Sequence, residues 1–186
     1  MVAETVILEV APPGPDHWTE AWITADFTFR NLGDAPEQME VGFPLSCPSC
    51  IWPPTGEIQE INDLAVYINS LQVTPHLETA VFPSHYNDLS LNCAVFDSTF
   101  PPGLDVFVRV TYTARSLFVS YNYHIFTYML QTGSGWYDTI GSADIITRLP
   151  YPANALNTWL DRSGLTGDSP TIIPTISGRE LCWHYE

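Results

Sequence analysis

Hydrophobic and polar positions alternate with period two along most of the chain, the mark of strands that bury one face. Val6, Leu8 and Val10 share one side of an extended run that ends at the turn sequence APPGP. In EAWITADFTFRNLGD, Trp22, Thr24, Asp26 and Thr28 fall on one face and Ile23, Ala25, Phe27 and Phe29 on the other. The turn signal Asn31-Leu32-Gly33-Asp34 closes that strand, and QMEVGFPL resumes soon after, so the pattern predicts a hairpin. Proline fixes φ and cannot donate to a ladder, so LSCPSCIWPP reads as a loop.

INDLAVYINSLQV returns to strand character around an Ile-Asn-Ser turn, and the stretch from Pro75 to Gly103 offers one or two short strands. LDVFVRVTYTARSLF predicts a long strand with Val106, Val108, Val110 and Tyr112 opposite Phe107, Arg109 and Thr111. Two further runs flank the loop TGSGWYDTIGS, predicting a second hairpin. Helical spacing occurs in PANALNTWLDRSG, where Leu156, Trp159 and Leu160 share a face and Gly164 suits a C-terminal cap. RELCWHY closes as a strand, with Leu181, Trp183 and Tyr185 opposite Cys182 and His184.

Short alternating strands without a βαβ rhythm predict an all-β fold, an immunoglobulin-like antiparallel β-sandwich with at most one short helix. The 186 residues suit one domain over 1–186, and 45% hydrophobic against 15% charged residues supply a core that offsets the entropy of folding. Both ends stop abruptly, the last inside an alternating pattern, so the expectation is a domain excised from a longer protein.

Charge narrows the function. Six arginines and no lysine face 21 acidic residues, for a net charge of −15. Nucleic acid and anionic membrane surfaces require clustered cations, so neither is an expected partner. Without lysine there is no Schiff-base nucleophile and no phosphate-loop lysine. No run is apolar and long enough to insert into a bilayer.

The cysteines are Cys47 and Cys50 in a Cys-Pro-Ser-Cys loop, Cys93 and Cys182. One Cys-x-x-Cys pair without a second knuckle is weak for zinc, and Ile51-Trp52-Pro53-Pro54 blocks the helix that a redox pair should open. A disulfide within the loop, or from Cys47 or Cys50 to Cys93, is the favoured reading, and no cofactor is expected. Ser84, His85 and Asp88 form a polar turn, with no Gly-x-Ser-x-Gly elbow to make a hydrolase of them. His17, His76, His124 and His184 stand alone in sequence and read as structural. No Asp-x-Asp-x-Asp-Gly calcium loop occurs among the many aspartates. Trp18 and Trp52 sit in proline-rich loops and, with Tyr121 and Tyr123, are the candidate ligand-binding aromatics.

ITADFTFRNLGD with MEVGFPL, YMLQTGSGWYDTIGSADIITRLPYP and RELCWHYE together resemble a group of bacterial extracytoplasmic β-sandwich proteins without an established activity. Tyr128, Leu130, Thr132, Gly133, Trp136, Ile140 and Gly141 match one motif of that group, and Trp183, His184 and Glu186 another. The resemblance covers about half the chain in scattered pieces, and the Cys-Pro-Ser-Cys loop departs from it. It implies a secreted or surface-tethered domain and transfers no catalytic residue. The expected role is a non-catalytic extracytoplasmic structural or protein-interaction module whose partners are other domains of the same protein or another surface protein. The alternatives are a glycan-binding module using the loop aromatics and a metal- or redox-dependent protein built on Cys47 and Cys50.

Overall fold

The protein is described by a computed structural model covering residues 1–15, 18–46, 61–82, 89–119, 123–128, 140–154, 156–158 and 173–186. Its strands are β1 (Ala3–Val10), β2 (Glu20–Arg30), β3 (Glu37–Ser46), β4 (Ile61–Ile68), β5 (Leu71–Val73), β6 (His76–Phe82), β7 (Leu89–Phe100), β8 (Asp105–Arg115), β9 (Leu117–Val119), β10 (Tyr123–Ile125), β11 (Ser142–Arg148), β12 (Thr175–Ser177) and β13 (Glu180–Tyr185). An eight-stranded sheet runs β12-β13-β11-β1-β2-β8-β4-β5, a three-stranded sheet runs β3-β7-β6, and β9 pairs with β10. The all-β sandwich expected from alternation is the fold, and no helix occurs among the described residues.

Strand parity decides what is buried. Ile23, Ala25 and Phe29 of β2 and Val106, Val108, Val110 and Tyr112 of β8 turn inward, as their spacing predicts, and meet Val41, Phe43, Phe96 and Phe100 from the small sheet. The aromatic rings interlock: Phe29 meets Phe100 edge-on at 5.6 Å and Phe43 lies 5.6 Å from Tyr112. Contacts of that kind add about 0.5–1.5 kcal/mol each beyond area burial.

Three expectations about connectivity are corrected. First, β2 and β3 form no hairpin: β2 pairs with β1 and β8, whereas β3 pairs with β7 in the other sheet. The Asn31 turn is instead a corner between layers. Its Nδ2 donates to the carbonyls of Ala35 and Phe100, its Oδ1 accepts from Gly33 N, and its own carbonyl accepts from Gly103 N. One side chain thus ties the β2–β3 corner to the β7–β8 return. Second, β10 and β11 are not partners, because β10 pairs with β9 and β11 with β13 and β1. Third, the β1–β11 pairing is parallel, with Ala3 opposite Ser142 and Glu9 opposite Arg148, so the sandwich is not wholly antiparallel.

Other turns follow sequence chemistry. Asn69 and Ser70 take φ values of 47° and 70°, the double left-handed turn that matches strand twist in a two-residue hairpin. Asn69 also accepts from Phe107 N at 3.0 Å, pinning the β4–β5 tip to β8. Gly141, just before β11, lies so close to the N-terminus that a Cβ there would stand 2.4 Å from the Val2 carbonyl oxygen. The segment with helical spacing is described only in part. There Asn157 N and Thr158 N donate to the Asn154 carbonyl in a single turn, and Leu156 is 99% exposed; Trp159, Leu160 and Gly164 lie outside the described residues.

Candidate functional site

The outer face of the eight-stranded sheet is an array of cross-strand partners. Asp26 of β2 lies opposite Arg109 of β8, and the guanidinium donates to both carboxylate oxygens at 2.6 and 2.8 Å. Arg30 and Asp105 repeat the arrangement one end over, at the same two distances. Arg148 of β11 bridges Glu9 of β1 and Glu180 of β13. On β13, His184 Nδ1 lies 2.6 Å from Asp144, and its Nε2 lies 3.2 Å from Glu186. These hydrogen bonds raise the pKa of His184, Arg109 and Arg30, while the Arg30 bond lowers that of Asp105. Exposed pairs of this kind contribute little stability each. Their effect is to set each of these cations beside one or two carboxylates, on a face from which Trp22 and Phe107 project with 57% and 56% of their surfaces exposed.

The small sheet carries a different group. Register places His76 opposite Val95 and Glu78 opposite Cys93, while Glu40 on β3 lies opposite Asp97. Over the slim Val95 the ligand atoms of Glu40, His76 and Glu78 all approach within 4.8 Å of one another, with His76 Nε2 3.6 Å from Glu78. Two carboxylates and an imidazole are an acceptable donor set for a divalent transition metal. All three residues are exposed, and the same donors serve a solvated surface equally well.

Inside, Glu4 of β1 shares the inward parity of Val6 and Leu8 and is 4% exposed. Tyr128 Oη donates to its carboxylate at 2.6 Å. Burial raises the Glu4 pKa, and the Tyr128 bond pulls it back in part. Burial, with the Glu4 charge nearby, raises the phenols of Tyr128 and Tyr112 in turn. At the end of β8, buried Ser116 has its hydroxyl 2.9 Å from His124 Nδ1 and accepts from Thr19 N at 3.4 Å, while Ser116 N donates to the Thr19 carbonyl. A serine 1% exposed and tied to the Thr19 backbone splices the end of β8 to the segment that enters β2.

The residues singled out by sequence fall unevenly. Cys93 is 1% exposed and its thiol is free, while Cys47 and Cys50, the partners expected for it, lie outside the described residues. The Cys93 side chain packs beside Gly42 at the centre of the small sheet, where burial, and secondarily Glu78, raises the thiol's pKa and keeps it un-ionised. Cys182 is also a free thiol. Cys47, Cys50, Trp52 and Tyr121 lie outside the described residues, as do Ser84, His85, Asp88 and His17, and of Tyr123 only the backbone in β10 is described. Trp18 is half-buried with the Arg115 guanidinium 4.5 Å from its ring centroid. Of the four candidate aromatics only Trp18 has a described side chain. Sequence reasoning missed Glu4, although its parity with Val6 was the signal that would have found it. It also left His76 and His184 isolated, although Glu78 and Glu186 stand two residues on from them in sequence and Asp144 and Glu40 join them from other strands.

No family model and no curated protein matches the chain. Among solved structures, an M1 zinc metallopeptidase from Deinococcus radiodurans aligns over 99% of this chain and 38% of its own at 11% identity and a TM-score of 0.31, too loose to carry an argument. The fold is similar to that of a candidate nutrient binding protein from Legionella pneumophila, at 20% identity and a TM-score of 0.72, where all of this chain spans 62% of the other.

Proposed function

We propose that the domain is a non-catalytic extracytoplasmic module that serves as a structural or protein-interaction part of a larger surface protein. The observation that carries this reading is the outer face of the eight-stranded sheet, where arginines pair with carboxylates across strands and Trp22 and Phe107 are left projecting. Aromatic side chains are enriched where proteins dock, and large exposed ones mark interaction surfaces. The fold's likeness to the Legionella protein, within a longer chain, supports its use as one part of a larger whole. Its partners on this reading are flanking domains or another surface protein; nucleic acid and membrane insertion are not among them.

Hydroxyl-radical footprinting of the isolated domain against the longer surface protein tests the reading. Trp22 and Phe107 lose labelling when the neighbour is present. Unchanged labelling at both, or turnover on a broad hydrolase panel that one substitution abolishes, overturns it.

A second reading, binding of a glycan or other small nutrient by Trp18, Trp52, Tyr121 and Tyr123, draws support from the provisional nutrient-binding description of the Legionella protein. A glycan and metabolite array on the wild type and on Trp52→Ala decides it, and binding that Trp52→Ala leaves unchanged rules out the loop platform.

A further inference from the structure

Strand β6 ends the three-stranded sheet, and its outer edge has no strand partner among the described residues. Natural edge strands are usually blunted by lysine, proline, bulges or short length. This one runs seven residues as HLETAVF, without proline and with Glu78 as its one carboxylate, in unbroken register with β7 from His76 opposite Val95 to Phe82 opposite Leu89. On one face it carries Leu77 and Val81, exposed by 78% and 63%, since the larger sheet does not reach over them.

The strand is complementary to itself. If a second copy is placed antiparallel with the twofold axis through Thr79, Leu77 falls opposite Val81 of the copy and Val81 opposite its Leu77. Glu78 then faces Ala80 rather than another carboxylate, and Thr79 faces Thr79. Both apposed apolar pairs and the threonine pair are favourable cross-strand neighbours, and no like charges stand directly opposite. Centring the axis on Glu78 would instead set that carboxylate against its twin. A twofold contact needs this kind of self-matching surface.

We propose that β6 is a homodimerisation edge, joining the three-stranded sheets of two copies into one continuous six-stranded sheet centred on Thr79. The site lies in the other sheet from Trp22 and Phe107, so it stands or falls apart from the proposed docking face. One strand edge with four apolar side chains is smaller than the interface of a stable dimer, so the association is weak and concentration-dependent.

Sedimentation equilibrium in about 0.15 M salt, enough to screen the −15 charge of each copy, reads the effect directly. The weight-average mass of the wild type climbs from 20.8 kDa toward twice that as the protein is raised to several hundred micromolar, roughly the range expected of a small interface. A Leu77→Lys/Val81→Lys variant and a Leu77→Glu/Val81→Glu variant each stay at monomer mass at the same concentration, at least tenfold weaker in self-association. An equimolar mixture of the two associates again, because register places each lysine opposite a glutamate. Two lysines reduce the net negative charge, so loss of association in that variant is not a bulk charge effect. Both positions are exposed, and an unchanged melting temperature confirms that the folds are intact. A wild type that remains monomeric throughout, variants that associate like the wild type, or a mixture that fails to associate each overturns the proposal.

Discussion

Replacing Tyr128 by phenylalanine removes one hydroxyl from the interior and leaves Glu4 without its donor. Glu4 is 4% exposed and the bond is 2.6 Å long, short enough to be charge-assisted. Hydrogen bonds to charged groups contribute about 1.5–3 kcal/mol, so Tyr128→Phe should destabilise the fold by roughly 2 kcal/mol at pH 8. For a chain of this size that lowers the melting temperature by about 4–8 °C. The pH dependence carries the stronger test. Burial raises the folded pKa of Glu4 above its ordinary 4.5, so its contribution to stability is fully present below that value and is lost as pH rises through the folded pKa. Without the Tyr128 bond, which lowers the pKa, the folded value rises further and the loss extends to higher pH. Near pH 4 the carboxyl is neutral in both proteins and the substitution removes only a neutral hydrogen bond, about 1 kcal/mol. Glu4→Gln keeps an acceptor for Tyr128 but cannot titrate, so its stability relative to wild type changes across the same window in the opposite sense. Urea melts followed by tryptophan fluorescence at pH 4, 6 and 8 measure all three proteins. A Tyr128→Phe penalty that is the same at pH 4 and pH 8 would refute the reasoning.

Two further outcomes follow from close packing. Gly141→Ala drives a Cβ to within 2.4 Å of the Val2 carbonyl oxygen, which is backbone and cannot swing aside, so the variant should lose several kcal/mol, of order 2–4, in thermal or urea denaturation. A Gly141→Ala protein as stable as wild type would mean that β1 and β11 do not approach as described. The Cys93 thiol, buried and held un-ionised, should resist alkylation by iodoacetamide at pH 8 in the folded protein and react once urea exposes it, with peptide mass spectrometry reading the site. Rapid native labelling at Cys93 would contradict its placement.

The parities of β2, β8 and β13 were legible because each strand buries a single face, and alternation records that directly. Glu4 was equally legible, since it keeps step with Val6 and Leu8, but a charged residue at the head of a strand reads by default as solvent-facing. What alternation does not record is which strand lies beside which. Asn31-Leu32-Gly33-Asp34 announces a reversal, yet the same residues serve a hairpin or a corner between layers, and only the Asn31 bonds to Ala35 and Phe100 distinguish them. For the same reason the pairing of His184 with Asp144, and the gathering of Glu40 with His76 and Glu78, depend on registers between strands distant in sequence. The number and spacing of the cysteines likewise say nothing of where a thiol sits, and only the structure shows Cys93 enclosed beside Gly42.

The parallel pairing of β1 with β11 bears on how the chain folds. Val6, Leu8 and their ladder reach β2 early, through a short local connection, but the other edge of β1 waits for Ser142–Arg148, contributed near the end of the chain. Closing so long a loop is entropically slow, and contacts of such high sequence separation retard folding. Until Ser142–Arg148 is in place, one edge of β1 has no ladder partner. The parallel β1–β11 ladder therefore makes the eight-stranded sheet complete only when segments more than a hundred residues apart have met.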